Sequence, residues 1–188
     1  MRMTNLTTSS AAGFSLEAFT DLLERCQWPL FTFLCGIVGD DEQARDLMQD
    51  AFCDAWRTVQ RGGAPFDGSS EEAGLRRWLF HVAYNRAISA LRRRRLIQWL
   101  PLEHVTIAFS FEDQLAEHHA LRAALASLAP ADAACLLLII VQGFTAAETG
   151  QIIGASPQAV AKRLSRAKQR LRDAYLAHNP QPEERSRL

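Results

Sequence analysis

Apolar residues recur every three or four positions along most of the chain, whereas the strict alternation that marks a strand is scarce. This pattern predicts an all-α protein. A first helix is expected to begin at Ser15, to be kinked or broken at Pro29, and to stop at Gly39, because proline lacks the N–H that a helix interior needs. A second helix is expected to follow Asp40, whose side chain can cap it.

The second predicted helix is amphipathic and carries an acidic outer face. Residues 40–54 contain six acids against the single base Arg45. The predicted apolar face consists of Leu47, Met48, Ala51, Phe52, Ala55 and Trp56. The predicted polar face consists of Asp46, Gln49, Asp50, Cys53, Asp54 and Arg57. A segregated acidic face on a well-patterned helix indicates a surface for a partner.

A loop rich in Gly, Pro and Ser precedes a third helix that is strongly basic; Ser69 and Glu72 have the spacing of a capping box for it. The segment 75–95 holds seven arginines, no acid and three interleaved aromatics. Its apolar face is predicted to be Phe80, Ala83, Ala87, Ile88 and Leu91. Its polar stripe is predicted to be Arg77, His81, Asn85, Ser89 and Arg92. An apolar face opposite a basic, hydrogen-bonding face is typical of a helix that packs on a domain and presents a surface to phosphate.

The C-terminal half predicts four more helices, over Leu115–Leu128, over Ala131–Gln142, from a Thr145–Glu148 capping box to Ile153, and from Pro157 onward. The last two have the helix-turn-helix layout, in which Gly154 permits the turn and Gly150 the close approach of the helices. The outward residues of the last helix are predicted to be Gln158, Lys162, Ser165, Arg166 and Gln169. Such residues can read base edges and neutralise phosphates.

Two small helical domains joined by a linker follow from this order. The boundaries are placed at 14–95 for the first domain, 96–113 for the linker and 114–177 for the second domain, with a tail over 178–188 that is expected to be disordered.

Composition restricts the class of protein. The chain has 21 basic and 21 acidic residues, and 48% of its residues are hydrophobic, which is enough for a packed core. The longest aliphatic run, Leu136–Val141, is far shorter than the roughly 20 residues of a membrane span, and the N-terminus lacks the apolar core of a secretory signal. A cytoplasmic protein without stable membrane insertion is expected. Its four cysteines are expected to be buried thiols rather than a redox pair or metal site.

Three stretches together resemble a bacterial RNA polymerase sigma factor of the sigma-70 family, extracytoplasmic-function (ECF) group. GDDEQARDLMQDAFCDAWR resembles the region 2 helix that docks on core polymerase. WLFHVAYNRAISALRRRR resembles the segment that melts and reads the −10 element. LASLAPADAACLLLIIVQGFTAAETGQIIGASPQAVAKRLSRAKQRLR resembles region 4, which reads the −35 element. The resemblance implies three partners, namely core RNA polymerase, promoter DNA and an anti-sigma factor, and no cofactor.

The resemblance also assigns residues to these contacts. Polymerase binding falls on Asp46, Leu47, Gln49, Asp50 and Phe52, of which Leu47 and Phe52 hold the helix in place. Contact with the −10 element falls on Arg77, Tyr84, Asn85, Arg86, Arg92 and Arg93. Contact with the −35 element falls on Gln158, Lys162, Arg163, Ser165 and Arg166. The apolar run Leu136–Val141 marks either an extra partner surface or a more buried helix.

Alternative functions stay open at this point. A sigma-like decoy would bind an anti-sigma factor without reading promoters, but it has no need of basic faces in both domains. A stand-alone helix-turn-helix regulator would leave the acidic helix and the first basic block unexplained. An enzyme is disfavoured because we find no phosphate-binding glycine loop, no metal-ligand cluster and no nucleophile–base pair in the sequence.

Overall fold

The structure, a computed structural model, describes residues 16–61, 71–97 and 115–178. The expected helix start at Ser15, the Ser69 cap, and most of the predicted linker and tail lie outside these residues. Within them the protein is helical and contains no strand, so the all-α prediction is confirmed. The helices are α1 (Leu16–Val38), α2 (Asp41–Gln60), α3 (Glu71–Ile97), α4 (Leu115–Ala126), α5 (Pro130–Leu136, continuing as a π-helical segment, Leu137–Val141), α6 (Ala146–Ile153) and α7 (Pro157–His178).

Helix α1 runs without interruption across Pro29, so the break that the sequence indicated does not occur. Proline in a helix interior costs about 3 kcal/mol. Burial of Leu30, Phe33 and Leu34, each at 0% exposure, offsets that cost by placing one apolar face of α1 in the core. The helix ends where predicted, at Gly39, whose φ of 74° is readily accessible only to glycine among common residues.

Helices α2 and α3 pack on α1 and form the N-terminal unit. The Asp40 carboxylate accepts a hydrogen bond from the Gln43 amide at 2.7 Å, which confirms the predicted cap of α2. The predicted apolar face of α2 turns inward, with Leu47 and Met48 buried and Phe52 half-buried. The inward residues of α3 also match the prediction, since Phe80, Ala83 and Ala87 are fully buried.

Helices α4 to α7 form the C-terminal unit. Both halves of the Thr145–Glu148 capping box are present at the start of α6, and Gly154 has a φ of 70° at its end. A side chain at Gly150 would clash with the carbonyl oxygen of Ala155, which explains the second glycine of the turn. The Ser156 hydroxyl accepts from the Ala159 amide at 3.2 Å and caps α7. The capping box, the two glycines and the Ser156 cap therefore all agree with the predicted helix-turn-helix.

The apolar run 136–141 divides into two parts. Leu136, Leu137 and Leu138 are buried, whereas Ile140 and Val141 are 56% and 58% exposed. The division coincides with the π-helical turn, in which the Gln142 amide bonds to the Leu137 carbonyl five residues back. The buried half agrees with the expectation of a more buried helix, and the extra partner surface stays a prediction for the exposed half.

The two units share a single hydrophobic core. Ala134, Leu137, Leu138, Phe144 and Ile152 of the C-terminal unit belong to the same buried cluster as the residues of α1, α2 and α3. The Phe80 and Phe144 rings meet edge-on at 5.2 Å between centroids. We call this contact between the two units the inter-unit interface.

Arg76 is the polar centre of the inter-unit interface. Its Nη2 donates to the Gln142 carbonyl at 2.8 Å, and its guanidinium lies 4.2 Å from the Phe144 ring centroid and 5.3 Å from that of Phe80. The side-chain amide of Gln142 in turn donates, through Nε2, to the Pro29 carbonyl at 3.1 Å. One charged side chain thereby connects α3, α1 and the turn before α6.

Arg76→Gln is expected to loosen the inter-unit interface, because it removes a charge-assisted hydrogen bond and two cation–π contacts. Together these are worth about 2 kcal/mol. The Cys135 thiol reports the change: it is buried close to Tyr84 of α3, and burial raises its pKa to about 11. We expect its reaction with a thiol reagent to accelerate about tenfold or more.

The exposed Cys53 gives the reference rate in the same molecule. Arg93→Gln, which removes the same charge from an exposed position of α3, should leave Cys135 as protected as in the original protein. An Arg76→Gln protein that keeps its helical circular dichroism and an unchanged Cys135 rate would contradict this role of Arg76.

Candidate nucleic-acid and partner interfaces

An open cleft of about 540 Å³ lies between α2 and α3 on the N-terminal unit. It is lined by residues of the predicted −10 stripe and by others that the sequence did not single out. His81, Asn85, Arg86 and Ser89 come from α3, Asp54, Arg57 and Thr58 from α2, and Arg61 follows the end of α2. The sequence analysis gave Arg57 only as part of the polar face of α2 and did not name Arg61. The cleft combines hydrogen-bonding groups with the half-buried Trp78 ring, which is a suitable lining for an unstacked base.

Arg86 is fixed by the acidic helix. Its guanidinium binds the Asp54 carboxylate through Nε, at 2.8 Å, and through Nη2, and its Nη1 lies 3.2 Å from Asp50. The hydrogen bonds to Asp54 raise the pKa of Arg86. A predicted polymerase residue, Asp50, and a predicted −10 residue, Arg86, are therefore in direct contact.

Asn85 is joined to the other unit through His81. The Asn85 amide lies 2.9 Å from His81 Nε2, and His81 Nδ1 lies 2.7 Å from the Ile152 carbonyl of α6. A carbonyl only accepts, so His81 carries its proton on Nδ1, and the Asn85 amide donates to Nε2. This chain of two hydrogen bonds connects the predicted −10 residue to the helix-turn-helix.

The remaining predicted −10 residues differ in exposure. Tyr84 is buried at 8% exposure, and burial raises the pKa of its phenol. Arg77 is half-buried, whereas Arg92 and Arg93 are exposed on the last turns of α3. The arrangement thus presents the arginines at the end of α3 to solvent and withholds the tyrosine.

Helix α7 turns most of its predicted −35 residues outward. Gln158, Lys162, Ser165 and Arg166 are exposed, while Val160 and Ala167 are fully buried against the unit. Arg163 differs from the others. It is half-buried, and its Nη1 lies 3.5 Å from Asp132, a nearly buried residue of α5.

The predicted polymerase face of α2 is open. Asp46, Gln49 and Asp50 are exposed, as contact residues need to be. Leu47 is buried, which suits its expected role of holding the helix in place. Arg45 leans over the Phe31 ring at 5.8 Å, so the one base in this acidic segment packs on α1.

An apolar groove of about 720 Å³ crosses the C-terminal unit between α4, α5 and α7. Leu121, Leu136, Ile140 and Leu171 line it, and Lys168 and Arg172 are among its charged residues. The sequence analysis located its middle through the apolar run 136–141 but did not connect that run with α4 or α7.

None of the described helices is long and apolar enough to cross a membrane. Nor do the side chains in the described part of the chain form a cluster of three or more His, Cys, Asp or Glu residues able to hold a metal ion.

Comparison with known families matches both units. Residues 22–97 match the family model "Sigma-70 region 2", and residues 118–171 match "Sigma-70, region 4". The first range contains the acidic helix and the α2–α3 cleft, and the second contains the helix-turn-helix and the apolar groove.

Individual relatives agree with the family models. The "ECF RNA polymerase sigma factor SigM" of Mycobacterium tuberculosis is 29% identical over 130 residues, which cover 69% of this chain and 63% of SigM. A solved sigma factor RpoE, in complex with the anti-sigma factor NepR from Bartonella quintana, superposes with a TM-score of 0.65 at 25% identity. That match covers 85% of this chain and 97% of RpoE. CnrH, solved in complex with the cytosolic domain of CnrY, shares the fold at a TM-score of 0.60 and 23% identity, over 88% of this chain and 91% of CnrH.

The Thr145–Glu148 capping box predicts that the free energy of unfolding depends on pH through the Glu148 carboxylate. The Glu148 carboxylate accepts from the Thr145 amide at 2.8 Å and from its hydroxyl at 2.7 Å, and these bonds lower the pKa of Glu148. A lowered folded-state pKa contributes stability above the unfolded-state value, and that contribution is lost as the pH falls through the folded-state value. Glu148→Gln should therefore reduce the free energy of unfolding by about 0.3–1 kcal/mol at pH 7.

Urea unfolding of both proteins between pH 7 and pH 3 measures this difference. It should shrink toward zero at the acid end, because both side chains are then neutral. A difference that is constant over this range would show that the charge of Glu148 has no part in the cap.

Proposed function

The chain belongs to the sigma-70 family of RNA polymerase sigma factors, in its ECF group, and we propose that it binds core polymerase and directs it to promoters by reading the −35 and −10 elements. The observation that carries this proposal is the pairing of two basic surfaces, one on each unit, with an exposed acidic helix on the first. Polymerase supplies the chemistry of RNA synthesis, and this chain supplies promoter choice.

The −35 element is assigned to the outward face of α7. Gln158 lies in its first turn, where a recognition helix meets base edges, and Lys162, Ser165 and Arg166 follow within two turns. Gln recognises adenine, and Lys or Arg recognises guanine or a phosphate.

The −10 element is assigned to the α2–α3 cleft and the arginines at the end of α3. Asn85 can hydrogen-bond a base edge, and Arg86 and Arg57, both paired with Asp54, line the same cleft. Arg92 and Arg93, exposed on the last turns of α3, hold the backbone of the opened strand in this proposal.

Reading both elements requires the two units to separate. By their positions the elements lie about 25 base pairs apart, which is roughly 85 Å of duplex at 3.4 Å per base pair. Here His81 of the −10 stripe touches Ile152 of the helix-turn-helix at 2.7 Å. The 17 residues between Ile97 and Leu115 can span up to about 60 Å when extended. Helix α7 alone, with 22 residues, adds about 33 Å, so linker and units together can reach both elements.

Two protein partners complete the proposal. Core polymerase is assigned to Asp46, Gln49 and Asp50, supported by Leu47 and Phe52 beneath them. An anti-sigma factor is the second partner, because RpoE was solved in complex with one. The apolar groove with Lys168 and Arg172 suits the apolar face of a helix that carries acids along its edges.

Transcription by purified core polymerase on a library of genomic fragments, with and without this protein, tests the proposal. We expect new start sites, each preceded by a shared pair of sequence elements, only when the protein is present. A decoy would bind an anti-sigma factor but produce no starts, and a stand-alone regulator would protect DNA without polymerase. Either outcome would overturn the proposed function.

Asp46→Lys is expected to abolish co-elution with core polymerase, because it reverses a charge at the centre of the exposed acidic face. Asp46 is preferred over Asp50 for this test, since Asp50 also pairs with Arg86. Asp21→Lys makes the same charge change at an exposed position of α1 and serves as the control. Equal co-elution of both folded variants would remove the assignment of this face.

Asn85→Ala is expected to impair transcription from a duplex promoter more than from one pre-melted across the −10 element, if Asn85 acts in strand opening. If it reads a base in the opened strand, the two templates should lose activity alike. Unstacking then costs the same few kcal/mol in the original protein and in Asn85→Ala, so only the base contact is lost. Co-elution of the Asn85→Ala protein with core polymerase is the control for folding and polymerase binding. Unchanged initiation on both templates would exclude Asn85 from the −10 site.

A further inference from the structure

Asp132 is a buried acid that the proposed function has not used. It is 4% exposed and lies in the first turn of α5, where its amide donates to the Ala129 carbonyl at 2.8 Å. Two arginines of α7 neutralise it: Arg163 Nη1 lies 3.5 Å from Oδ1, and Arg170 Nη1 lies 3.6 Å from Oδ2. A carboxylate at this depth needs such partners, because an unpaired buried charge is strongly destabilising.

The two arginines lie on one flank of α7, beside its DNA-facing side. Successive residues of a helix are about 100° apart, so Arg163 and Arg170, seven residues apart, are within about 20° of each other. By the same rule Arg163 is about 100–160° from Gln158, Lys162 and Ser165, and about 60° from Arg166 at the edge of that side. The ion pairs also keep Arg163 near Tyr84, whose phenol is influenced by the Arg163 charge.

We propose that Asp132 is a positioning residue for −35 recognition, holding Arg163 and Arg170 toward α5. Two ion pairs separated by two turns add to the apolar packing of Ala167, Leu164 and Leu171 in fixing the rotation of the helix. Asp132 also withholds two positive charges from the DNA backbone. This inference rests on the proposed function and removes Arg163 from the set of DNA contacts.

The charge effect favours sequence discrimination. Binding to any duplex rises with the number of phosphates that a protein neutralises, whereas discrimination comes from base contacts. With Arg163 and Arg170 engaged by Asp132, the first turns of α7 offer Lys162 and Arg166 as their cations. Release of the two arginines would add contacts that are insensitive to sequence and would let the reading face rotate.

The test measures holoenzyme binding to a duplex with the recovered −35 element and to an unrelated duplex, over a range of salt concentrations. Lys162→Gln is the reference for loss of a DNA-facing cation and should lower the slope of log affinity against log salt by about one. Arg163→Gln removes the same charge from the same turn. It should leave that slope unchanged and reduce the preference for the −35 duplex about threefold to tenfold.

Asp132→Asn should act in the opposite sense. It should raise the salt slope by about one to two on both duplexes and reduce the preference for the −35 duplex about tenfold or more. Adding Arg163→Gln to it should bring the slope back by about one, and Asp132→Glu should retain most of the original preference. A structural role alone would not produce a steeper slope that a second charge removal reverses.

Two results would overturn the proposal: a slope lowered by Arg163→Gln as much as by Lys162→Gln, or an Asp132→Asn protein with the original slope and preference. If Asp132→Asn does not fold, the comparison of Arg163→Gln with Lys162→Gln decides alone. The salt slope on the unrelated duplex tests whether Asp132 keeps Arg163 and Arg170 from the DNA backbone. That result does not depend on −35 recognition. A wild-type holoenzyme without any −35 preference would refute the proposed function, while the slopes would still accept or reject the ion-pair role.

Discussion

The contact of Arg76 with the turn before α6 is the constraint on which the rest of the arrangement depends. Its guanidinium lies against Phe144 and donates to the Gln142 carbonyl, at the point where the two units share their core. A half-buried cation is stable there only while both groups stay in place, because removing its partners would leave the charge uncompensated. The positions of His81 against α6, and of Arg163 near Tyr84, follow from the same packing.

Much of the fold could be predicted from the sequence because its signals are local. The Asp40 cap, the Thr145–Glu148 box, Gly39, Gly154 and the apolar face of α2 each depend on residues within a few turns. The sequence predicted a kink or a break at Pro29, and the break does not occur because distant packing outweighs a local preference. The shared core could not be predicted, since Phe80 and Phe144 are 64 residues apart and nothing in the chain between them encodes their contact.

The sequence predicted which residues of the candidate site lie on exposed helix faces, but not the contacts that they make with other helices. Helix periodicity placed Lys162 and Ser165 on an exposed face, and charge segregation identified both basic helices. Periodicity could not show that Arg163 faces a buried Asp132, because that contact joins two helices through a side chain with no motif around it. Nor could it show that Arg57 and Arg61 join Asn85 in one cleft, which requires the packing of α2 on α3.

In functional terms, the structure is a closed form of a protein whose proposed task requires an open one. Any partner that binds the open form more tightly shifts the balance by its difference in affinity, and any partner that bridges both units opposes that shift. Core polymerase is proposed as the first kind of partner, and an anti-sigma factor that reaches from the apolar groove onto the N-terminal unit would be the second. Regulation of promoter use then reduces to competition over one inter-unit interface.

The distance between the units, measured by spin labels, tests this account most directly. Cys53 on α2 and a cysteine introduced at Asp173 on α7 are both exposed, while Cys26 and Cys135 are buried and burial raises the pKa of Cys35 to about 12, so near-neutral labelling selects the intended pair. The account predicts a single short distance in the free protein and an increase of tens of ångströms in the promoter-bound holoenzyme. An unchanged distance in a complex that initiates transcription would contradict it.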